Sequence, residues 1–167
     1  LAAGNHASGF QYAQQNFDLS YVGEDNAEHR PVMLHRAILG TLERFIGIYI
    51  EQTDGRFPLW MCPTQVSILN VTDRQNDYCM ELKDKMQSAG LRVHFDNRNE
   101  KLGYKIRENQ LQKVPYMMII GDKELEEKKV SVRVRTGETT EPMSIESFIE
   151  QVTQEIQTKS LESSIKV

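Results

Sequence analysis

Two short polar stretches carry residue types that can read a nucleotide base. Asp96-Asn97-Arg98-Asn99-Glu100-Lys101 and Gly121-Asp122-Lys123-Glu124 each follow a run that reads as a β-strand. An Asn amide both donates and accepts, a Glu carboxylate accepts from exocyclic amines, and an Arg guanidinium is bidentate to guanine or phosphate. Asn and Asp are also frequent in loops for local backbone reasons, so ordinary turn chemistry stays open beside the base-reading one. Gly40, Arg44 and Gly47 stand at i, i+4 and i+7, which on a helix leaves one face bare except for a guanidinium. A planar group such as adenine could stack there, and close helix packing with Arg44 paired to Glu24 or Glu43 would use the same residues. His35 could ligate a metal or serve as a hydrogen-bonded packing residue, with no second ligand near it in sequence. Cys62 and Cys79 show neither CxxC nor any other metal spacing and read as reduced packing residues.

Apolar periodicity predicts the elements that must hold these groups. Leu19 to Val22 and Val32 to Leu34 read as the strands of a hairpin around a polar turn, Gly23 to Asn26. Arg36 to Glu51 repeats Ile38, Leu42, Phe45 and Tyr49 at helical spacing. Gly55, Pro58 and Pro63 then punctuate a boundary over residues 52 to 64. Beyond it come a strand at Val66 to Val71, a helix at Asp73 to Ala89 stopped by Gly90, and a strand at Arg92 to Phe95. A helix at Lys101 to Gln112, with Leu102, Ile106 and Asn109 or Gln110 inward, and a buried strand at Pro115 to Ile120 follow. Val130 to Val134 alternates as a further strand, and Ile145 to Ile156 is an amphipathic helix. This order predicts an α/β domain over 65 to 160, a mixed and mostly parallel sheet with flanking helices, preceded by a hairpin and helix over 17 to 51. Residues 1 to 16 read as a loosely ordered leader and 161 to 167 as a flexible tail. Ligands of such sheets gather beyond the carboxyl ends of the parallel strands, where both polar stretches fall.

The 167 residues are 39% hydrophobic and 26% charged, enough for a real core and against a disordered chain. No apolar run reaches membrane-span length and no signal-peptide pattern opens the chain, so a soluble, cytoplasmic protein is expected. The net charge of −4 is unevenly spread: residues 91 to 135 hold 11 Lys and Arg against 7 Asp and Glu, while both flanks are acidic. That stretch is where a polyanion is expected to dock. No GxGxxG follows any strand, which leaves little for a dinucleotide-dependent enzyme.

The segments Tyr21-Val22-Gly23-Glu24-Asp25-Asn26 and Pro31-Val32-Met33-Leu34-His35-Arg36-Ala37-Ile38-Leu39-Gly40-Thr41-Leu42-Glu43-Arg44-Phe45-Ile46-Gly47 closely resemble the third signature motif of the bacterial-type threonyl-tRNA synthetase family. The likeness continues through Phe57-Pro58-Leu59-Trp60, Arg98-Asn99-Glu100-Lys101-Leu102-Gly103-Tyr104-Lys105-Ile106-Arg107-Glu108, Val114-Pro115-Tyr116-Met117 and Gly121-Asp122-Lys123-Glu124. It implies the last hairpin and helix of a class II aminoacylation domain followed by an anticodon-binding domain. Residues 1 to 16 lack the strand the family places there; read one base later, suitable codons spell something like it, so an out-of-frame leader is expected, with a cloning-derived one as the competing account.

The resemblance also implies roles. Arg44 would contact ATP, and His35 would be one of three zinc ligands, the other two lying outside this chain. Zinc and ATP with magnesium would serve the intact ligase, and this chain alone is expected to bind neither stably nor to form threonyl-adenylate. Asn99, Arg107, Glu124 and Arg133, with Lys101 and Lys113 as weaker candidates, would contact the anticodon of threonine-specific tRNA. Lys113 stands where the family often has arginine, keeping the charge but losing bidentate geometry. Lys105 is expected to attract phosphates without regard to base. The parent would be a cytoplasmic homodimer. An accessory module that reuses the fold to bind RNA or a protein is the alternative function.

Overall fold

The computed structural model describes residues 17–32 and 38–165. The chain divides into two units, Leu1–Tyr49 and Ile50–Val167. In the first, β1 (Tyr21–Val22) pairs antiparallel with β2 (Glu28–His29), Tyr21 opposite His29. The return strand thus comes earlier than Val32 to Leu34, because the turn closes tightly. Asn26 N donates to Gly23 O and Gly23 N to Ala27 O, both at 3.0 Å, with Asn26 in the left-handed region at φ 56°. Met33 and Leu34 lie outside the described residues. A Cβ at Gly23 would stand 2.7 Å from His29 Cδ2, so the exposed imidazole would have to swing aside to admit one.

Helix α1 (Leu42–Thr53) begins six residues later than the periodicity from Arg36 predicts. Gly40 has φ 70° and Thr41 Oγ1 accepts from Arg44 N at 3.3 Å, so the helix is capped at Thr41 and Gly40 stands outside it. The bare face of Gly40, Arg44 and Gly47 is therefore not formed. Helix α1 buries none of its residues, and Leu42, Ile46 and Ile50 are exposed one turn apart.

In the second unit the order is β3 (Val66–Asn70), α2 (Asn76–Ser88), β4 (Val93–Asp96), α3 (Leu102–Leu111), β5 (Tyr116–Ile120), α4 (Asp122–Glu127), β6 (Ser131–Val134) and α5 (Ile145–Gln157). The sheet runs β4-β3-β5-β6, with β3 parallel to β4 and β5 and β6 antiparallel to β5. This is the mixed, mostly parallel sheet with flanking helices that the sequence predicts. Val66, Ile68, Tyr116, Met118, Ile120, Val132 and Val134 form one face, buried with Leu82 and Met86 of α2 and Phe148 and Val152 of α5. Their alternation partners Ser67, Leu69, Met117, Ser131 and Arg133 form the other face, which α3 covers at β3.

Helix α2 ends as its sequence requires. Gly90, at φ 86°, donates to Gln87 O at 2.9 Å and Leu91 N to Met86 O at 3.1 Å, a Schellman closure that buries Leu91 beside Met86. Two readings change. Residues 122 to 127 form a helix, hidden from periodicity because Leu125 is the sole apolar residue in it. The buried positions of α3 are Lys105 and Asn109, with Leu102 and Ile106 half-buried. Both cysteines are free and buried, and burial pushes the Cys79 thiol up to about 12, in keeping with packing residues.

Candidate nucleic-acid interface

The carboxyl end of β4 is built around a buried carboxylate. Asp96 accepts from Arg98 Nε at 2.9 Å, Arg98 Nη2 at 2.7 Å and Arg98 N at 3.2 Å. Arg98 also donates to Glu108 of α3, whose other oxygen accepts from Tyr104 Oη at 3.1 Å. The Arg98 hydrogen bonds hold the Asp96 and Glu108 carboxyls below their ordinary range and raise the guanidinium above its own. Arg98 is thus committed to clamping the loop onto α3, which corrects its reading as a free base-reading guanidinium. The clamp leaves Asn99 exposed on the loop and Lys101 exposed at the start of α3.

Beneath the loop lies Lys105, 2% exposed. Its Nζ donates to Asn70 Oδ1 at 2.7 Å and to the Asp96 carbonyl at 3.1 Å, tying the ends of β3 and β4 together. A cation so enclosed cannot neutralise a phosphate at the surface, so the expectation for Lys105 is overturned. The helical spacing explains it: Lys105 and Asn109, four apart, face the sheet, while Gly103 and Arg107 fall on the outer side of α3, where Arg107 is exposed.

At the carboxyl end of β5, Glu124 folds back on the chain. Its Oε2 accepts from Gly121 N at 3.0 Å and its Oε1 from Ser131 Oγ at 3.0 Å. Ser131 lies opposite Ile119 and Arg133 opposite Met117, so both project from the face of β6 that does not enter the main core, about 7 Å apart along the strand. Arg133 is half-buried, and its Nε is enclosed with no hydrogen-bond partner among the described residues. Gly137, at φ 102°, leaves room for that guanidinium, since a Cβ there would lie 3.3 Å from Arg133 Nη2.

The remaining candidates sit apart. Lys113 follows the end of α3 in the left-handed region at φ 58°, and its Nζ pairs with Asp54 at 3.1 Å. Helix α3 is about 15 Å long, so Lys113 lies that far from Lys101 at the other end. Arg44 is exposed on α1, and His35 lies outside the described residues. Among the described residues no three His, Cys, Asp or Glu side chains gather as a metal site. Ser131 and Gly137 are the positions that sequence reasoning missed: a hydroxyl on a strand and a glycine in a turn carry no signal until the strand register sets them beside Glu124 and Arg133.

Residues 65–155 match the family described as the anticodon binding domain. The chain belongs to that family. The anticodon-binding domain here is similar to part of the threonine–tRNA ligase of Bdellovibrio bacteriovorus, 58% identical over 151 residues, which are 90% of this chain and 23% of that protein. The threonine–tRNA ligase of Clostridium botulinum is 53% identical over 146 residues, 87% of this chain and 23% of its own length. The chain therefore spans about a quarter of these relatives. The crystal structure of the RNA-binding domain of threonyl-tRNA synthetase from Cryptosporidium parvum superposes with a TM-score of 0.66 at 31% identity, covering 92% of this chain and 38% of that one. Prolyl-tRNA synthetase from the same organism shares the fold, with a TM-score of 0.62 at 22% identity over 87% of this chain and 32% of its own. No helix among the described residues is long and apolar enough to cross a membrane.

Proposed function

We propose that this chain is the part of a threonine–tRNA ligase that binds the anticodon of threonine-specific tRNA. The observation that carries the reading is a fixed acceptor on α4 bonded to the strand that carries Arg133. Glu124 is held through Ser131, and the half-buried Arg133 stands two residues further along β6 on the same face as Ser131. RNA sequence is read chiefly in unstacked loop bases, whose edges offer both donors and acceptors to such a pair. Asn99 and Lys101 on the β4 loop and Arg107 on α3 would meet neighbouring bases and phosphates. Lys113, engaged by Asp54, would stand at the margin. The ligase relatives favour this reading over an accessory module.

In the intact enzyme, Arg44 would contact ATP, for which an exposed guanidinium fits. His35 would be a zinc ligand. The parent is taken to be a cytoplasmic homodimer. The test is the affinity of this chain for threonine-specific tRNA and for the same tRNA with a substituted anticodon, at one stated salt concentration. Asn99→Ala, Glu124→Ala and Arg133→Ala should each cost about 1 to 3 kcal/mol for the cognate anticodon alone. Equal losses on both tRNAs would remove the base-reading role.

A further inference from the structure

We infer that Ser131 is a positioning residue for base reading: it orients the Glu124 carboxylate so that the acceptor of α4 and the donor of β6 meet one base in register. The inference rests on the proposed role of Glu124. A carboxylate has about four lone-pair sites. Gly121 N occupies one on Oε2 and Ser131 Oγ one on Oε1, which leaves a site on each oxygen. The last torsion of a Glu side chain is broad, so the Gly121 bond alone would leave the carboxylate plane free to turn. The second donor fixes that plane. It comes from the strand that also carries Arg133 two residues on, the side chains of both leaving the same face. Acceptor and donor are thereby set by one backbone segment.

A merely structural role, pinning α4 to the sheet, would affect stability and leave base discrimination alone. The experiment therefore reads the ratio of affinities of this chain for threonine-specific tRNA and its anticodon-substituted version, alongside Tm. Ser131→Ala should lower the ratio about five- to tenfold, the net worth of one ordinary hydrogen bond. Ser131→Thr, which keeps the hydroxyl on a β-branched strand residue, should preserve the ratio, and Ser131→Val, of the same shape without it, should behave like Ser131→Ala. Glu124→Ala should lower the ratio at least as far, and adding Ser131→Ala to it should change nothing more. If Glu124→Ala lowers the ratio while Ser131→Ala and Ser131→Val leave it intact, positioning by Ser131 is refuted and the anticodon reading stands. If Glu124→Ala leaves the ratio unchanged, both fall.

Discussion

Replacing Lys105 with Ala removes a buried cation that donates to Asn70 Oδ1 at 2.7 Å and to the Asp96 carbonyl at 3.1 Å. Asn70 and Asp96 are themselves buried, so water does not freely replace the lost donor. Each acceptor left alone costs about 1–3 kcal/mol. Removing the packed aliphatic stem adds about 1 kcal/mol or more, and a water entering the space would offset part of the total. The expected loss is about 3–5 kcal/mol, a large share of the roughly 5–15 kcal/mol that holds a domain folded. Urea unfolding, followed by circular dichroism, should show the midpoint fall with the m-value unchanged, by about 1.5–2.5 M for an m of about 2 kcal/mol/M. Lys105→Met, which keeps the stem, should lose less. For whatever fraction stays folded, the salt dependence of tRNA binding should match the parent. A Lys105→Ala chain of undiminished stability whose log–log salt slope flattens by about 0.7 would refute the buried-tie reasoning and return Lys105 to the surface.

Gly90→Ala should cost about 1–2 kcal/mol, read as a lowered Tm, because the Schellman closure of α2 needs a left-handed residue at φ 86°. The Asp96 carboxyl is depressed in the folded state by Arg98, so its contribution is complete above the ordinary Asp value of roughly 3.9 and is lost as pH falls through the lower folded value. Tm should drop in that acid range, and Arg98→Ala should lower the neutral-pH Tm while flattening the acid slope; an unchanged slope would contradict the clamp. Tyr116→Phe, which removes donation to the buried Glu155 at 2.7 Å, should cost about 1 kcal/mol, seen as a lower Tm. With Leu42, Ile46 and Ile50 exposed along α1, sedimentation should detect concentration-dependent association that Ile46→Lys abolishes.

The sheet was legible because Tyr116–Ile120 is apolar throughout, Val66–Asn70 is mostly so and Val93–Asp96 alternates, with Gly, Pro or Asn close to each. Helix α4 was not, since six mostly charged residues carry no period; capping by Glu124 and its bond to Ser131 hold it instead. The late start of α1 shows local chemistry overriding periodicity: Thr41 offers a cap and Gly40 a left-handed turn, which ends the helical pattern begun at Ile38. At the candidate site, residue types pointed to Asn99 and Glu124, but exposure decides what a cation can do. The spacing of Lys105 with Asn109 is as helical as that of Gly103 with Arg107, and nothing in the sequence says which pair faces the sheet.

Sorting the cations of residues 91 to 135 by their partners turns a charge count into a salt dependence. Lys105 is enclosed, Arg98 serves Asp96 and Glu108, and Lys113 serves Asp54. Arg92 donates to the carbonyls of Cys62 and Trp60, and Arg135 to that of Phe57. Those five of the 11 are spent on the fold. Exposed Lys101 and Arg107 enter no ion pair among the described residues and remain available to phosphate. On single-stranded RNA each phosphate contact contributes about 0.7 to the slope of log affinity against log salt. The pair Lys101→Ala with Arg107→Ala should therefore flatten the slope by about 1.4 at unchanged Tm, whereas Arg92→Ala with Arg98→Ala should lower Tm and leave the slope alone. Equal flattening by the two pairs would mean that the fold releases its internal cations to the RNA, and the division drawn from the hydrogen bonds would be wrong.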